Sequence, residues 1–132
     1  MDIAEGPFSD TSHTVIAVAD DSDELAVTTT DGTTWTYVTS GMGTGLKHIR
    51  YGNGKWIAVK ADGTAFESTD NGQNWQSTTR VCPTTFNVTD FTFGNGRFIA
   101  AVKPNGTATF PFNPASPSTM ISDGTSTTTA TF

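Results

Sequence analysis

The sequence contains little cysteine, and this shortage excludes one class of protein. Cys82 is its single cysteine, so no disulfide can form within the chain and a disulfide-stapled fold is excluded. A lone thiol is by default a small buried side chain. Catalysis by Cys82 would need a basic partner to form the thiolate, and His13 and His48 lie far from it along the chain.

Positive charge is also scarce. The chain has 7 Lys and Arg against 13 Asp and Glu, which gives a formal net charge of −6. An acidic surface repels phosphate backbones, so nucleic acid is not expected as a partner. The acidic run 20–24 lacks the spacing, the central glycine and the terminal glutamate of an EF-hand calcium loop. We interpret this run as a solvated turn between two strands.

Long hydrophobic runs are absent as well. Hydrophobic residues make up 35% of the 132 residues, and no stretch is long and apolar enough to span a membrane, so no membrane partner is expected. The first six residues are acidic and contain no apolar run, which does not fit a secretory signal peptide. Few segments carry the apolar period of an amphipathic helix.

What remains is rich in strand and turn formers. Roughly a fifth of the residues are Thr, which favours strands, and 13 are Gly, which favours turns. The composition therefore predicts a single all-β domain over residues 1–132, a length that suits one modest core.

A repeat with a period of about forty residues runs through the chain. Three apolar strands share one pattern, with Ile16, Ile57 and Ile99 at its centre. Two of these strands follow a Gly-Asn-Gly turn, at 52–54 and at 94–96. Asn-Gly suits a tight hairpin because both residues accept positive φ. The pattern predicts that the three isoleucines hold equivalent places in three sheets.

One octapeptide, residues 68–75, carries a distinctive turn signature, Ser-Thr-Asp-Asn-Gly-Gln-Asn-Trp. Its Ser and Asp side chains can bond nearby backbone N–H groups, its Asn-Gly allows positive φ, and its Trp anchors the next strand. The octapeptide resembles the Asp-box, or BNR, repeat of sialidase-like β-propellers. In that family the box links the third and fourth strands of a blade and is structural rather than catalytic. The residues that carry the resemblance are Ser68, Asp70, Gly72 and Trp75.

Weaker copies of the box occur on both sides of it. The first copy runs from Thr28 to Trp35, and the second is decayed, with Thr127 where the tryptophan is expected. In both copies the Asp lies next to the Gly, one place later than Asp70. The matching residues are Asp31, Gly32 and Trp35 in the first copy, and Asp123 and Gly124 in the second.

The resemblance implies three propeller-blade-like antiparallel sheets, over residues of approximately 8–40, 46–80 and 88–132. The middle unit is the most complete, with its first strand at 46–51. Alternation along that strand predicts Leu46, His48 and Arg50 on one face and Ile49 on the other. The first unit lacks a clear opening strand, unless Pro7 to Ser9 supplies part of it.

Three blades do not close a ring, because closed propellers have about four to eight. An open stack would leave a sheet face uncovered at each end. We therefore expect this partial β-propeller to be completed by oligomerisation, with other copies of the chain as partners. A six-bladed ring of two chains, a cluster of several chains around an axis, and capping by a different protein all remain open.

A proline-rich loop at 104–117 interrupts the third unit, because its prolines prevent a central strand. Phe110 and Phe112 flank Pro111 on this loop. They either fold back on the domain's own surface or dock on a partner, since apolar side chains on a stiff loop make good anchors. Residues 110–112 are the candidate partner-docking loop.

No catalytic residue is predicted, and the chain is not expected to be an enzyme. Sialidases bind a substrate carboxylate with three arginines and use a tyrosine with an acid. Arg97 occupies the turn position of Lys55 in the preceding unit, which indicates a solvated residue, and no context marks Tyr37 or Tyr51 as a nucleophile. The three arginines of the chain are Arg50, Arg80 and Arg97.

Neither a metal nor a cofactor is predicted. His13 and His48 lie in different units without the spacing of metal ligands. The Gly-x-Gly pairs open hairpins rather than helices, so they do not form a phosphate loop. Exposed tryptophans can stack on sugars, but we expect Trp35 and Trp75 to be buried at the box position, and Trp56 to be buried as well.

The units with Gly-Asn-Gly turns resemble repeats of phage virion and tail proteins and of bacterial surface proteins. Asp-box propellers are mostly exported, and a chain without a signal peptide needs host lysis to leave the cell, which favours a phage particle. The expected function is a non-enzymatic structural protein of the virion, such as a capsid decoration or cement protein or a tail-associated module. It would form a homo-oligomer, and this assembly would bind other virion proteins. The alternative is a carbohydrate-binding adhesin or receptor-binding module on a cell surface, with a glycan as its partner.

Overall fold

Every regular element of the residues described in the computed structural model is a β-strand. These residues are 1–9, 12–28, 33–82, 84–104, 118–122 and 127–131. Their strands form three antiparallel sheets of four strands, and successive strands of the chain are neighbours in each sheet. The prediction of an all-β fold with three blade-like sheets is confirmed, because this up-and-down order is that of propeller blades.

The three blades follow one another along the chain. The first comprises β1 (Asp2–Ser9), β2 (Ser12–Val18), β3 (Glu24–Thr28) and β4 (Thr36–Thr39). The second comprises β5 (Leu46–Gly52), β6 (Lys55–Lys60), β7 (Ala65–Ser68) and β8 (Gln76–Thr78). The third comprises β9 (Phe86–Gly94), β10 (Arg97–Pro104), β11 (Ser118–Ser122) and β12 (Thr127–Thr131).

The first blade has a full opening strand, which the sequence pattern failed to indicate. β1 pairs with β2 from Asp2 opposite Val18 to Ser9 opposite Ser12. The register shifts between Glu5 and Phe8, where Gly-Pro interrupts the run of strand formers and hides the strand from pattern analysis. The first blade therefore begins at Asp2 and not near residue 8.

The three central isoleucines hold equivalent places, as predicted. Each pairs with the penultimate residue of the third strand of its blade. Ile16 and Ile57 are fully buried, whereas Ile99 on the third blade is half-buried. The pairs are Ile16 with Val27, Ile57 with Glu67, and Ile99 with Ile121.

The core lies between the blades, in two apolar clusters. The first junction, between blades one and two, consists of Ala4, Ile16, Val18, Val27, Met42, Leu46, Ile49, Trp56 and Ala58. The second junction, between blades two and three, consists of Ile57, Val59, Ala65, Val81, Cys82, Val88, Phe91, Phe98, Ala100 and Val102. Burying each large apolar side chain there stabilises the fold by about 1.5–3 kcal/mol.

Each blade has a rear face toward the preceding blade and a front face toward the following one. On β6, Trp56 and Ala58 point rearward into the first junction, and Ile57 and Val59 point forward into the second. Because side chains alternate along a strand, one strand serves both junctions. All four residues are therefore buried, as expected for the most apolar strand of the middle unit.

The Gly-Asn-Gly turns have the predicted positive φ. In the first, Asn53 has φ of 52° and Gly54 of 76°; in the second, Asn95 has φ of 50° and Gly96 of 75°. The two turns also contact each other, because Asn53 Nδ2 donates a hydrogen bond of 2.9 Å to the carbonyl of Gly96. Equivalent hairpins of adjacent blades are thus joined directly.

An aromatic pair lies beside each of these turns, and a glycine of the preceding blade packs against it. Tyr51 and Trp56 have ring centroids 5.1 Å apart, and Phe93 and Phe98 have centroids 4.8 Å apart. A Cβ added at Gly6 would lie 2.3 Å from Trp56, and one at Gly52 would lie 2.3 Å from Phe93. Close approach of the blades therefore requires glycine at both positions.

A β-bulge corrects the predicted alternation of the strand at 46–51. The register shifts between Leu46 and His48, so Lys47 is an extra residue and the side chains on either side of it change phase. Leu46 and Ile49 are consequently both buried in the first junction, although simple alternation places them on opposite faces.

The acidic run 20–24 anchors the connection between blades one and two, a function that its interpretation as a solvated turn missed. The Asp23 carboxylate accepts hydrogen bonds from the Ser40 hydroxyl and from Gly43 N, the latter at 2.9 Å. The Ser40 bond lowers the pKa of Asp23. The Asp20 carbonyl accepts a hydrogen bond of 2.6 Å from Gly45 N.

We expect Gly52→Ala to destabilise the chain by about 1–3 kcal/mol, because the added methyl group overpacks the ring of Phe93. The measurement is urea unfolding followed by circular dichroism. In a Phe93→Leu background the same substitution should cost clearly less, because the ring is gone. Equal costs in the two backgrounds would contradict the packing described at this contact.

Candidate functional site

The octapeptide turn, residues 68–75, is held by the side chain of Ser68. This side chain is buried, with 2% exposure. Its hydroxyl donates a 2.8 Å hydrogen bond to Asp70 Oδ1 and accepts one of 2.9 Å from Gly72 N. Asn71 and Gly72 have φ of 59° and 81°, the left-handed conformation that Asn-Gly tolerates. The turn therefore has the local bonding that its sequence predicts.

Both carboxylate oxygens of Asp70 accept hydrogen bonds within the same turn. Oδ1 accepts a hydrogen bond of 2.9 Å from Asn74 N, and Oδ2 accepts one of 2.7 Å from Asn74 Nδ2. The Asn74 amide, with further help from Asn74 N and Ser68, lowers the pKa of Asp70. A carboxylate held in its charged form by three such donors is a structural acceptor and not a general acid.

The turn also reinforces the first junction. A Cβ at Gly72 would lie 2.6 Å from Ile16 Cδ1 on blade one, so the backbone of the turn packs against that side chain. Trp75 is half-buried against the first junction, and its Nε1 donates a 3.0 Å hydrogen bond to the Gly72 carbonyl. The turn on blade two therefore contacts the core of blade one.

The two weaker copies of the box differ from this arrangement. Trp35 is 36% exposed, so the expectation that it would be buried is wrong. In the third blade Ser122 pairs with Thr127, which leaves only four residues between β11 and β12, too few for an octapeptide turn. The remaining matched residues of these copies, Asp31, Gly32, Asp123 and Gly124, lie outside the described residues.

A groove of about 340 Å³ lies beside the octapeptide turn, between blades one and two. Hydroxyl and amide groups line it together with two valines. Such a lining can accept and donate hydrogen bonds to a small polar ligand while contacting its apolar face. The polar residues are Thr14, Thr36, Asn71 and Gln73, and the valines are Val27 and Val38.

Two of the three arginines contribute to the structure of the blades. Arg50 forms an ion pair with Asp2 of blade one. Arg80 donates to Thr64 Oγ1 at 3.0 Å and to the carbonyl of Asp62, and so fixes the connection between blades two and three. Arg97 is exposed, as expected from its turn position. These contacts assign Arg50 and Arg80 to packing between strands and connections.

Cys82 is buried in the second junction with 2% exposure. Burial raises the pKa of its thiol, with the Arg80 cation acting in the opposite direction. A Cβ at Gly63 would lie 2.5 Å from its Sγ, so the thiol is tightly enclosed. The prediction of a small buried side chain is confirmed.

The opening strands bring three titratable residues to equivalent positions, which sequence analysis missed. Asp2, His48 and Asp90 pair with Val18, Val59 and Ala101, the residues two places after the central isoleucines. Asp2 Oδ2 accepts a 2.9 Å hydrogen bond from Ile49 N and lies 3.9 Å from His48 Nδ1. A visible signal was available: His48 and Asp90 each lie four residues before a Gly-Asn-Gly turn.

Burial lowers the pKa of His48 below its ordinary value of 6.5. The charges of Asp2 and Asp90 act in the opposite direction, and those of Arg50 and Lys47 add to the lowering. His48 is therefore neutral at neutral pH, and its burial between the opening strands favours that state.

Metal and membrane sites receive no support from the described residues. Among residues 1–9, 12–28, 33–82, 84–104, 118–122 and 127–131, no three His, Cys, Asp or Glu side chains are grouped so as to hold a metal ion. The same residues include no helix long and apolar enough to cross a membrane. The docking loop predicted at Phe110, Pro111 and Phe112 lies outside them.

Apolar side chains are exposed on the rear face of blade one. Tyr37 is 74% exposed, Ile3 is 56% exposed and Met1 is 93% exposed. A groove of about 230 Å³ lies beside Tyr37, with Met1, Ala17 and Glu24 in its lining. Large apolar side chains grouped on one sheet face are typical of an interaction surface.

The strand order, the register and the packing between sheets define the chain as a partial β-propeller of three blades. Comparison with protein-family models gives no match, and no curated protein matches the sequence. Among solved structures, a chain titled "YCF48 bound to D1 peptide" aligns with a TM-score of 0.49 and 13% identity. The alignment covers 94% of this chain and 50% of that chain, so this chain spans about half the length of that structure.

We expect Ser68→Ala to destabilise the chain by about 1–3 kcal/mol, because Gly72 N then loses its acceptor inside the protein. Thr69→Ala, at the exposed neighbouring position, is the matched control and should change stability by less than about 0.5 kcal/mol. Chemical denaturation measures both. A Ser68 variant as stable as the Thr69 variant would show that the hydroxyl does not hold the turn.

Stability should fall as the pH decreases below about 6.5, because the unfolded chain binds a proton at His48 before the folded chain does. This loss of stability is absent above the pKa of His48 in the unfolded chain. It is complete once the pH has fallen below the lowered pKa of His48 in the folded chain. Thermal unfolding between pH 7.5 and pH 5 measures it. His48→Gln should reduce this slope, and an unchanged slope in that variant would refute the assignment.

Proposed function

We propose that this chain is a non-enzymatic structural protein of a phage particle, either a capsid decoration or cement protein or a tail-associated module. In this proposal it assembles with copies of itself and binds other virion proteins through the faces of its outer blades. The exposed apolar rear face of blade one, with Tyr37 at 74% and Ile3 at 56% exposure, is the observation that carries the proposal. Such a face favours a protein partner.

The use of the polar side chains supports a structural function. Asp70, Asp23 and Asp2 accept hydrogen bonds that hold turns and strands, and Arg50 and Arg80 bond to other elements of the same chain. Groups committed in this way do not converge on a substrate. We also propose that the octapeptide turn is an Asp-box, since Ser68 and Asp70 make the local bonds expected of its signature.

The virion setting comes from the resemblance of the Gly-Asn-Gly units to repeats of phage virion and tail proteins. A particle protein must present robust repeated surfaces, and an apolar core between sheets provides them without disulfides. The expected location is the particle itself, after synthesis in the host cytoplasm and release by lysis.

Particle association is tested by fractionating the lysate of the producing culture on a density gradient. The chain should co-sediment with DNA-filled particles at a constant ratio to the major capsid or tail protein, and mild dissociation of the particles should release it. A chain that stays with the free proteins of the lysate would contradict the proposal.

A carbohydrate-binding adhesin or receptor-binding module is the second candidate, and the groove beside the octapeptide turn favours it. Asn71 and Gln73 supply amide groups there, and Thr14 and Thr36 supply hydroxyl groups. Sugar hydroxyls bind to such groups. On a glycan array the purified chain should then bind a defined set of sugars, and Asn71→Ala with Gln73→Ala should abolish binding while Asn53→Ala, on the far turn, preserves it. No binding by the unmodified chain would remove this candidate.

A further inference from the structure

We infer that two copies of this chain join head to tail, with the rear face of blade one of each copy on the front face of blade three of the other. The result is a closed ring of six blades. This inference rests on the proposed function in one respect, namely that copies of the chain bind one another. It adds the two faces, the direction of the contact and the number of copies.

The rear face of blade one matches faces that are buried inside the chain. Ile3 pairs with Ala17 in the register position where Ile49 pairs with Ala58 in blade two, and Phe91 with Ala100 in blade three. The members of the latter two pairs are at most 1% exposed, whereas Ile3 is 56% exposed. In blades two and three a preceding blade therefore covers this row of side chains, whereas in blade one the row is uncovered.

The front face of blade three is the matching surface. Ile99 and Ala101 hold the positions of Ile57 and Val59, which pack against the following blade, yet both are only half-buried. Blade three therefore presents the type of front face that, within the chain, covers the rear face of the following blade.

A glycine contact repeats along the chain and remains open at its last position. Gly6 packs against Trp56 of the next blade, and Gly52 packs against Phe93 of the next blade. Gly94 holds the place of Gly52, since each pairs with the basic residue after its turn. A Cβ at Gly94 would meet nothing within 4 Å.

The residue that would fill this open position can be named from the backbone register. Glu5 pairs with Val15 in blade one, just before the central isoleucine, as Tyr51 pairs with Trp56 and as Phe93 pairs with Phe98. Because Gly52 packs against Phe93, Glu5 of one copy faces Gly94 of the other in the ring. Asn95 likewise holds the place of Asn53, whose amide bonds to the following blade, and would bond to blade one of the second copy.

Charge favours the same pairing. Glu5 and Glu24 are exposed on blade one; Glu5 lies two residues from Ile3 on β1, and Glu24 lines the groove beside Tyr37 on the rear face. Arg97 and Lys103 are exposed on β10, where they alternate with the residues of the second junction and so lie on the front face. Opposite charges on the two faces steer a head-to-tail contact and disfavour rear-to-rear contact.

The number of copies follows from closure. A head-to-tail contact is heterologous, so it forms either a ring or an open filament. Closed propellers have about four to eight blades, and only two copies of a three-blade chain fall within that range. Two identical junctions then complete the ring, with no uncovered blade face.

The test measures the mass of the full chain in solution by sedimentation velocity over a range of concentrations. The unmodified chain should be a dimer. Gly94→Leu should raise the dissociation constant by about tenfold or more, with the monomer still folded because the site is open in the single chain. Thr84→Leu, on an exposed turn, is the matched control and should remain a dimer.

A second variant and a mixing experiment make the direction of contact testable. Ile3→Asp with Tyr37→Asp should also yield a folded monomer, because it damages only the rear face of blade one. Mixed with Gly94→Leu, it should form a heterodimer, since one intact front face and one intact rear face then meet. Each variant alone should stay monomeric at the concentration of the mixture.

Three results would overturn the inference: an unmodified chain that stays monomeric at all concentrations, a dimer that Gly94→Leu does not weaken, or variants that fail to complement. These results leave the proposed function untouched if the chain still co-sediments with particles. Conversely, a ring dimer that never associates with particles would contradict the proposed function alone.

Discussion

Burial of one sheet against the next is the constraint on which this structure depends. No blade has a core of its own, because a single four-stranded sheet cannot enclose apolar side chains. Both clusters therefore draw on two blades, and each connection contributes to the cluster that it crosses, through Met42 in the first and through Val81 and Cys82 in the second. The sequence repeat is the consequence, since every blade must supply a face that its neighbour accepts.

The polar chemistry of the chain follows from this constraint. Sheets can stack closely only if the hairpins and connections at their ends keep a fixed shape, and buried backbone groups there need partners. Asp23, Ser68 and Asp70 supply those partners for turns, and Arg80 supplies them for a connection. Glycines are placed where a ring of the next blade approaches, at Gly6 and Gly52. Side chains that the sequence offers as candidates for catalysis or binding therefore hold turns and connections in place.

The sequence predicted the features that short segments determine and missed those that depend on how strands pair. The turn at 52–54 and the octapeptide from Ser68 to Trp75 have short-range signatures, so their conformations were predictable. The opening strand β1 was hidden because Gly6-Pro7 breaks its pattern, and the bulge at Lys47 was hidden because a bulge is a property of two strands. The exposure of Trp35 and the short connection after Ser122 show the same limit. A residue at a motif position does not always have the surroundings that the motif has elsewhere. The equivalent positions of Asp2, His48 and Asp90 become visible only once the register is known.

The middle blade is packed on both of its faces, whereas each outer blade is packed on one, and this asymmetry has a consequence for dynamics. In stacked repeat proteins, local opening starts where neighbours are fewest. Amide protons of β6 should therefore exchange most slowly with solvent, and those of β4 and β12 should exchange fastest. Folding should nucleate around β5 and β6 and propagate outward in both directions, so the single chain behaves as a cooperative centre with two fraying ends.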